Sequence, residues 1–214
     1  MGAVHRGTLP VSDLIGLQLE IERIAITSAD SLVRLPGDDP DEIPALAVHR
    51  WAGGYRLVFA EEVSPADRAA LRALDVEAAF DDVTTVSSIL GPIRRDQFAT
   101  YTFVQEPAGD EYRGVVAEPA GFAIYEGGVR AAWAFSSREG PSAAELAVET
   151  LPQFRRRGFA RRAASAWAAA KMDLGKVAFY THAADNVPSQ RLAASLGVTW
   201  AFDVVTYARK RDGA

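Results

Sequence analysis

Between Glu145 and Arg162 the chain reads ELAVETLPQFRRRGFARR, and no other stretch restricts its fold as much. Glu145 to Leu151 alternates as a strand does. Leu146, Val148 and Thr150 share one face, and Glu145, Ala147 and Glu149 share the other. The first face suits packing against a helix, and the second suits a polar cleft. Pro152 closes the strand. Beyond it Ala160, Ala163, Ala164, Trp167, Ala170 and Leu174 recur at helical spacing, a stripe of mostly small residues that lets a helix lie close to a sheet. The junction holds Arg155, Arg156, Arg157, Gly158, Arg161 and Arg162. A helix start offers unpaired N–H groups and the positive end of the helix dipole. Gly158 has no Cβ to keep an anion away from those amides. Most runs of charge are solvated faces. Here the strand, the glycine and the helix start coincide with the arginines, and together they predict an anion site.

Arg155-Arg156-Arg157-Gly158-Phe159-Ala160 resembles the Gln/Arg-x-x-Gly-x-Gly/Ala signature of the GNAT N-acetyltransferases, with Val148 to Pro152 where that family has its preceding strand. Asp185 to Gly197 (DNVPSQRLAASLG) resembles the family's second signature, an Asn-led helix ending in Leu-Gly-aromatic, with Val198 in place of the aromatic. The likeness covers roughly residues 115–210. It implies an α/β fold of the acyl-CoA N-acyltransferase kind, a mixed and mainly antiparallel sheet flanked by helices, with an N-terminal αβ region. It also implies acetyl-CoA as cosubstrate. By resemblance, backbone groups of Val148, Glu149 and Thr150 pair with the pantetheine arm. Amides of Arg156, Arg157, Gly158, Phe159, Ala160 and Arg161 hold the pyrophosphate, and Arg155 is a further cofactor-binding candidate. Asn186, and Ser189 one turn later, contact the arm. Asn186 also reads simply as a helix cap.

Acyl transfer from a thioester to an amine requires a proton acceptor for the amine and a donor toward the sulfur. Glu149, on the polar face of the cofactor strand, is the first candidate base. Glu145 lies on the same face, about 13 Å away at strand spacing, and is the fallback. Many family members carry a Tyr seven positions after the Asn, and that position here is Ala193. Tyr180 is the candidate donor in its place, with His182 and Tyr207 as alternatives. A lone His such as His182 more often packs than reacts. His5, His49 and His182 lack ligand spacing, so no metal is expected. The implied function is N-acetylation of a primary amine on a small molecule or peptide. The missing Tyr motivates a second reading, a non-catalytic acyl-CoA-binding sensor or regulatory module.

The rest of the chain bounds these readings. A net charge of −5 argues against a nucleic-acid binder. The absence of Cys excludes disulfides and suits a reducing compartment. No apolar run approaches membrane length, and the start has no signal layout, so a soluble cytoplasmic protein is expected, with a homodimer allowed. Two regions are expected, residues 1–114 and 115–214, joined near Pro107 to Arg113. The first is an αβ region, either on the acceptor side or a divergent GNAT-like half. Ser12 or Asp13 caps a helix with Leu14, Leu17, Ile21 and Ile24 on one stripe. A Pro- and acid-rich loop spans Leu35 to Pro44, and a strand Tyr55 to Val63. Ser64-Pro65-Ala66-Asp67 opens one helix and Asp82 another, stopped by Gly91-Pro92. Tyr101 to Gln105 reads as a strand. Phe122 to Phe135 reads as a hairpin around Gly127-Gly128. Val177 to Ala183 and Val198 to Ala208 are strands, and the tail RKRDGA frays.

Overall fold

The computed structural model describes residues 9–22, 24–26, 31–34, 43–76 and 80–209. His5, most of the Leu35 to Pro44 loop and the tail after Arg209 lie outside them. Contacts divide the chain into two compact units, Met1–Glu22 with Ala99–Ala201, and Arg23–Phe98 with Phe202–Ala214. The boundary expected at 114/115 falls inside the first. Both units combine helices with a sheet of mixed, mainly antiparallel pairing, as the sequence predicts. Among the described residues no helix is long and apolar enough to cross a membrane.

The second unit holds strands β1 (Ile24–Ile26), β2 (Ser31–Arg34), β3 (Leu46–Trp51) and β4 (Gly54–Ala60), helices α2 (Pro65–Arg72) and α3 (Val83–Leu90), the start of β5 (Ile93–Thr102) and most of β11 (Thr199–Arg209). Strands run in the order β1-β2-β4-β3-β11. Only β2 and β4 among these are parallel. The helix starts follow local chemistry. Ser64 Oγ accepts from the Asp67 N–H at 3.1 Å, and Asp82 accepts from the Thr84 N–H at 2.8 Å. Leu71, Val86 and Leu90 bury against Leu46, Val48 and Phe59. Ile24 opens β1 and is not the last turn of a helix, because helix α1 ends at Ile21. Its cap is also not as expected: Pro10 holds that position, and Ser12 and Asp13 lie in the first turn.

The first unit holds α1 (Val11–Ile21), the end of β5, β6 (Val116–Glu118), β7 (Gly121–Glu126), β8 (Val129–Glu139), β9 (Ala143–Thr150), α4 (Phe159–Asp173), β10 (Val177–Ala183) and α5 (Val187–Leu196). Strands β10-β9-β8-β7-β6 lie side by side in that order, with β5 beside β10. The β7–β8 turn is Gly127-Gly128, with φ of 58° and 78°, the two left-handed residues that a tight hairpin needs. Residues 109–112 form a short 3-10 turn where a linker is expected from sequence. Helix α4 buries Phe159 and every residue from Ala163 to Ala169. Small residues let β8 and β9 approach on one side while α5 contacts it too. Trp167, 1% exposed, fills the space between, and its indole N–H donates to Ser136 Oγ at 3.1 Å. Leu174 departs from the expected stripe: it sits past the helix end, 68% exposed. On β9, Leu146 and Val148 pack in the cluster of Trp167, as the alternation predicts.

Candidate functional site

Strands β9 and β10 are parallel and pair at three positions, Val177 with Ala143, Ala178 with Ala144, and Phe179 with Glu145. Both continue, β9 to Thr150 and β10 to Ala183, without further pairing. Strand β8 follows β9 as far as Thr150, which lies opposite Ala132. From Leu146 onward, therefore, only the edge of β9 turned toward β10 has unpaired peptide groups. Such an edge is a template for an extended chain. Thr150 Oγ1, buried and without a partner among the described residues, lies at the open end of this gap.

The gap leads to the junction that the sequence singles out. After a 3-10 turn at Pro152–Phe154, Arg156 and Gly158 take left-handed backbone at φ 60° and 76°. Gly158 is the N-cap of α4. The α4 ladder begins with the Arg162 N–H donating to Gly158 O at 3.1 Å, so the amides of Phe159, Ala160 and Arg161 precede it. A Cβ on Gly158 would meet nothing within 4 Å, so the space before the helix is open. A depression here is lined by Ala108, Asp110, Glu111, Gly158, Arg161 and Arg162.

Most arginines of the cluster are held by neighbours. Arg155 Nε donates to Thr150 O at 3.3 Å. Arg157 pairs with Glu126 at 2.7 Å, and Arg161 with Glu111 at 3.6 Å. Arg162 donates to Arg113 O. The Arg156 side chain is exposed and has no partner among the described residues. The Phe159 ring packs with Ile124, Ala131 and Ala132, so that residue offers only its amide outward. Asn186 caps α5, its Oδ1 accepting from the Ser189 N–H at 3.2 Å.

Tyr180 on β10 is 4% exposed, in the same cluster as Leu146 and Ala193. Burial pushes its phenol above the ordinary value, a hydrogen bond with Ser189 opposes this, and Tyr101 adds to it. The hydroxyl therefore stays protonated, in a ring that packs beside Ala193 of α5. His182 is buried, stacked on Tyr101 at 5.5 Å. Its Nδ1 lies 2.9 Å from Ala183 O. A carbonyl only accepts, so Nδ1 carries a proton, and Nε2 has no partner among the described residues. Tyr207 cannot serve as expected. It is fully buried in the other unit with its hydroxyl donated to Phe80 O.

The two carboxylates of β9 differ sharply. Glu149 is exposed opposite Trp133, with no hydrogen bond or ion pair among the described residues. Glu145 does not line an open cleft. It is 7% exposed, beneath α1. Gln18 Nε2 donates to its Oε2 at 2.6 Å, and Ser137 Oγ to its Oε1 at 3.1 Å. Gln18, Glu22, Ser137 and Arg138 are absent from the sequence reading. Gln18 and Glu145 are 127 positions apart, so nothing local links them. Among the described residues no group of three or more His, Asp or Glu could hold a metal ion.

Residues 111–207 match the family model of the GNAT acetyltransferases. No curated protein matches the chain. Among solved structures it is similar to a GCN5-related N-acetyltransferase-like protein from Streptococcus suis, at 14% identity over 76% of this chain and 82% of that one, TM-score 0.46. It is also similar to a GNAT-family acetyltransferase from Colwellia psychrerythraea, at 11% identity over 94% and 98%, TM-score 0.46. A functionally unknown conserved protein from Staphylococcus epidermidis is similar at 11% identity over 95% and 99%, TM-score 0.49.

Proposed function

From the match of residues 111–207 to the family model of the GNAT acetyltransferases, we propose that the protein transfers an acetyl group from acetyl-CoA to a primary amine of a small molecule or peptide in the cytoplasm. The observation that carries this reading is the parting of β9 from β10 after Glu145 and Phe179, which leaves a free strand edge leading to the open helix start at Gly158. The edge and the helix start suit the two halves of one ligand. An amide-bearing arm pairs with peptide groups of Val148 to Thr150, and a diphosphate meets the amides of Arg156 to Arg161. Arg156 is the guanidinium available to a further phosphate. Asn186 keeps its side-chain N–H donors for the arm while its oxygen caps α5.

When bound, acetyl-CoA supplies the activated acyl group: the amine nitrogen bonds to the thioester carbon, the C–S bond breaks, and the sulfur leaves as thiolate. An ammonium acceptor gives up two protons in all, one before attack and one after, and the thiolate regains one. Tyr180, kept protonated by burial, is the donor toward the sulfur. A thiol has a pKa near 8.5, below that of this phenol, so Tyr180 stabilises the thiolate by hydrogen bonding and does not need to surrender its proton. A peptide N–H of β9 near Val148 donates to the carbonyl oxygen in this reading. Calorimetry with acetyl-CoA, followed by thiol release with a set of primary amines, tests the reading. Binding with turnover supports it. Tight binding without turnover for any amine favours the sensor, and absence of binding removes both.

A further inference from the structure

The arginines around Gly158 are not equally committed to their neighbours. Arg157 is held by Glu126 at 2.7 Å, and its guanidinium also lies 5.9 Å and 4.9 Å from the ring centres of Phe154 and Phe159. Arg162 donates to Arg113 O and lies 5.8 Å from the Phe159 ring. Arg161 has a single partner among the described residues, Glu111 at 3.6 Å. That separation is too long for a hydrogen bond. Both side chains are well exposed, at 47% and 35%, and a pair of this kind adds little to stability. Of the arginines that have partners, Arg161 is the one most easily given another.

Glu111 does not depend on Arg161 for its place. The 3-10 turn that carries it is closed by its own backbone, the Glu111 N–H donating to Ala108 O at 2.9 Å and the Val115 N–H to Tyr112 O at 3.2 Å. Arg162 fastens the same segment to α4 through Arg113 O. Gly114 leaves room for that contact: its φ is 76°, and a Cβ there would stand 2.9 Å from Arg162 Nη2. A carboxylate is thus presented to the helix start by a strap that stays in place when Arg161 lets go. The depression before Gly158 carries Asp110 and Glu111 against Arg161 and Arg162. Two carboxylates balance two guanidiniums, so these side chains are neutral in sum before any ligand arrives. A diphosphate brings further negative charge into the same space, and the exposed Glu111–Arg161 contact is the one that can yield.

We propose that Glu111 is a built-in competitor for the diphosphate: it occupies Arg161 in the free protein, and on binding of acetyl-CoA Arg161 swings from Glu111 to the diphosphate. The idea rests on the acetyl-transfer reading above and adds to it a contact that restrains the same site. No covalent step is involved. The guanidinium keeps its charge and exchanges one anion for another, and the Glu111 carboxylate is left to solvent. The consequence is a threshold for entry. An anion that meets Arg161 alone gains little by replacing a carboxylate already there. A ligand seated also on the amides around Gly158 and along the free edge of β9 gains enough elsewhere to displace it. Asp110, exposed and without a partner among the described residues, adds repulsion but holds no guanidinium.

Calorimetry on the full chain tests this, with acetyl-CoA and, separately, inorganic pyrophosphate as probes. Glu111→Gln keeps the shape of the side chain and removes its charge. It should bind acetyl-CoA about 5- to 10-fold more tightly than the parent. Asp110→Asn, which removes an equal charge but frees no arginine, should gain about twofold at most. In an Arg161→Gln background the Glu111→Gln gain should shrink to that of Asp110→Asn, because the exchange needs both partners. Unchanged or weaker acetyl-CoA binding by Glu111→Gln overturns the proposal. So does a gain that Asp110→Asn matches, or one that survives in full without Arg161. Pyrophosphate decides where acetyl-CoA binds to none of these proteins. Tighter pyrophosphate binding by Glu111→Gln would then sink the parent reading and leave the exchange standing, and binding of neither probe removes both.

Discussion

Gly158 carries two separable burdens, and replacing it distinguishes them. Its φ of 76° is left-handed, where any L side chain costs about 1–2 kcal/mol. For a domain of this size that lowers Tm by about 2–4 °C per kcal/mol, in Gly158→Ala and Gly158→Glu alike. A Cβ there meets no protein atom within 4 Å, so neither variant adds a clash. The binding cost should differ. A methyl group that displaces one amide from a phosphate forfeits a charged hydrogen bond, about 1.5–3 kcal/mol, or roughly 10- to 100-fold in Kd. A carboxylate at about 4 Å from a phosphate adds repulsion of about 1 kcal/mol in water, rising to about 4 kcal/mol at an effective dielectric of 20. Only that increment should shrink with added salt. Calorimetry with acetyl-CoA at low and high salt, beside thermal unfolding, reads both quantities. If Tm falls in both variants while Kd stays at the parent value, the amides around Gly158 do not hold the diphosphate.

Other consequences follow from particular side chains. His49 is 1% exposed, and burial, helped by Arg56, lowers its pKa from 6.5 to about 3. Its contribution is complete above pH 6.5 and fades as pH falls toward 3, by about 1.4 kcal/mol per pH unit. Denaturant titrations should therefore show His49→Leu flattening the stability profile between pH 6 and 4, and an unchanged slope would refute it. Tyr180→Phe should lower kcat about tenfold or more with the Kd for acetyl-CoA unaltered, and a lowered affinity alone would remove its donor role. Asn186→Ala should cost about 1 kcal/mol through the lost cap, and Asn186→Asp should restore the stability. If Asp also restores the acetyl-CoA affinity, the Asn186 N–H donors do not touch the arm.

Features whose cause is local were legible in the sequence. Ser64 and Asp82 cap the helices that they announce, Gly127-Gly128 turns the hairpin, and Asn186 and Gly197 bound α5. The alternation of β9 separated Leu146 and Val148 from Glu145 and Glu149 correctly, because a strand with one helix-packed face must keep that pattern. Features with distant causes were not legible. Strand β3 was missed because Leu46 to His49 are buried on both faces and show no alternation. The charged start of β5, Ile93 to Asp96, concealed a strand that begins eight residues before Tyr101. Ile24 continued a helical stripe in spacing, yet pairs with Arg34 in a strand. The Glu145 alternation was right about its face and silent about what covers it, since Gln18 arrives from the opposite end of the chain. The parting of β9 and β10 is likewise a matter of partners.

The most direct measurement is a crystal structure of the protein with coenzyme A. The diphosphate should lie within hydrogen-bonding distance of amides between Arg156 and Arg161, with the pantetheine arm between β9 and β10 alongside Leu146 to Thr150 and its sulfur toward Tyr180. Coenzyme A bound elsewhere, with that gap and the space before Gly158 filled by solvent, would contradict the account.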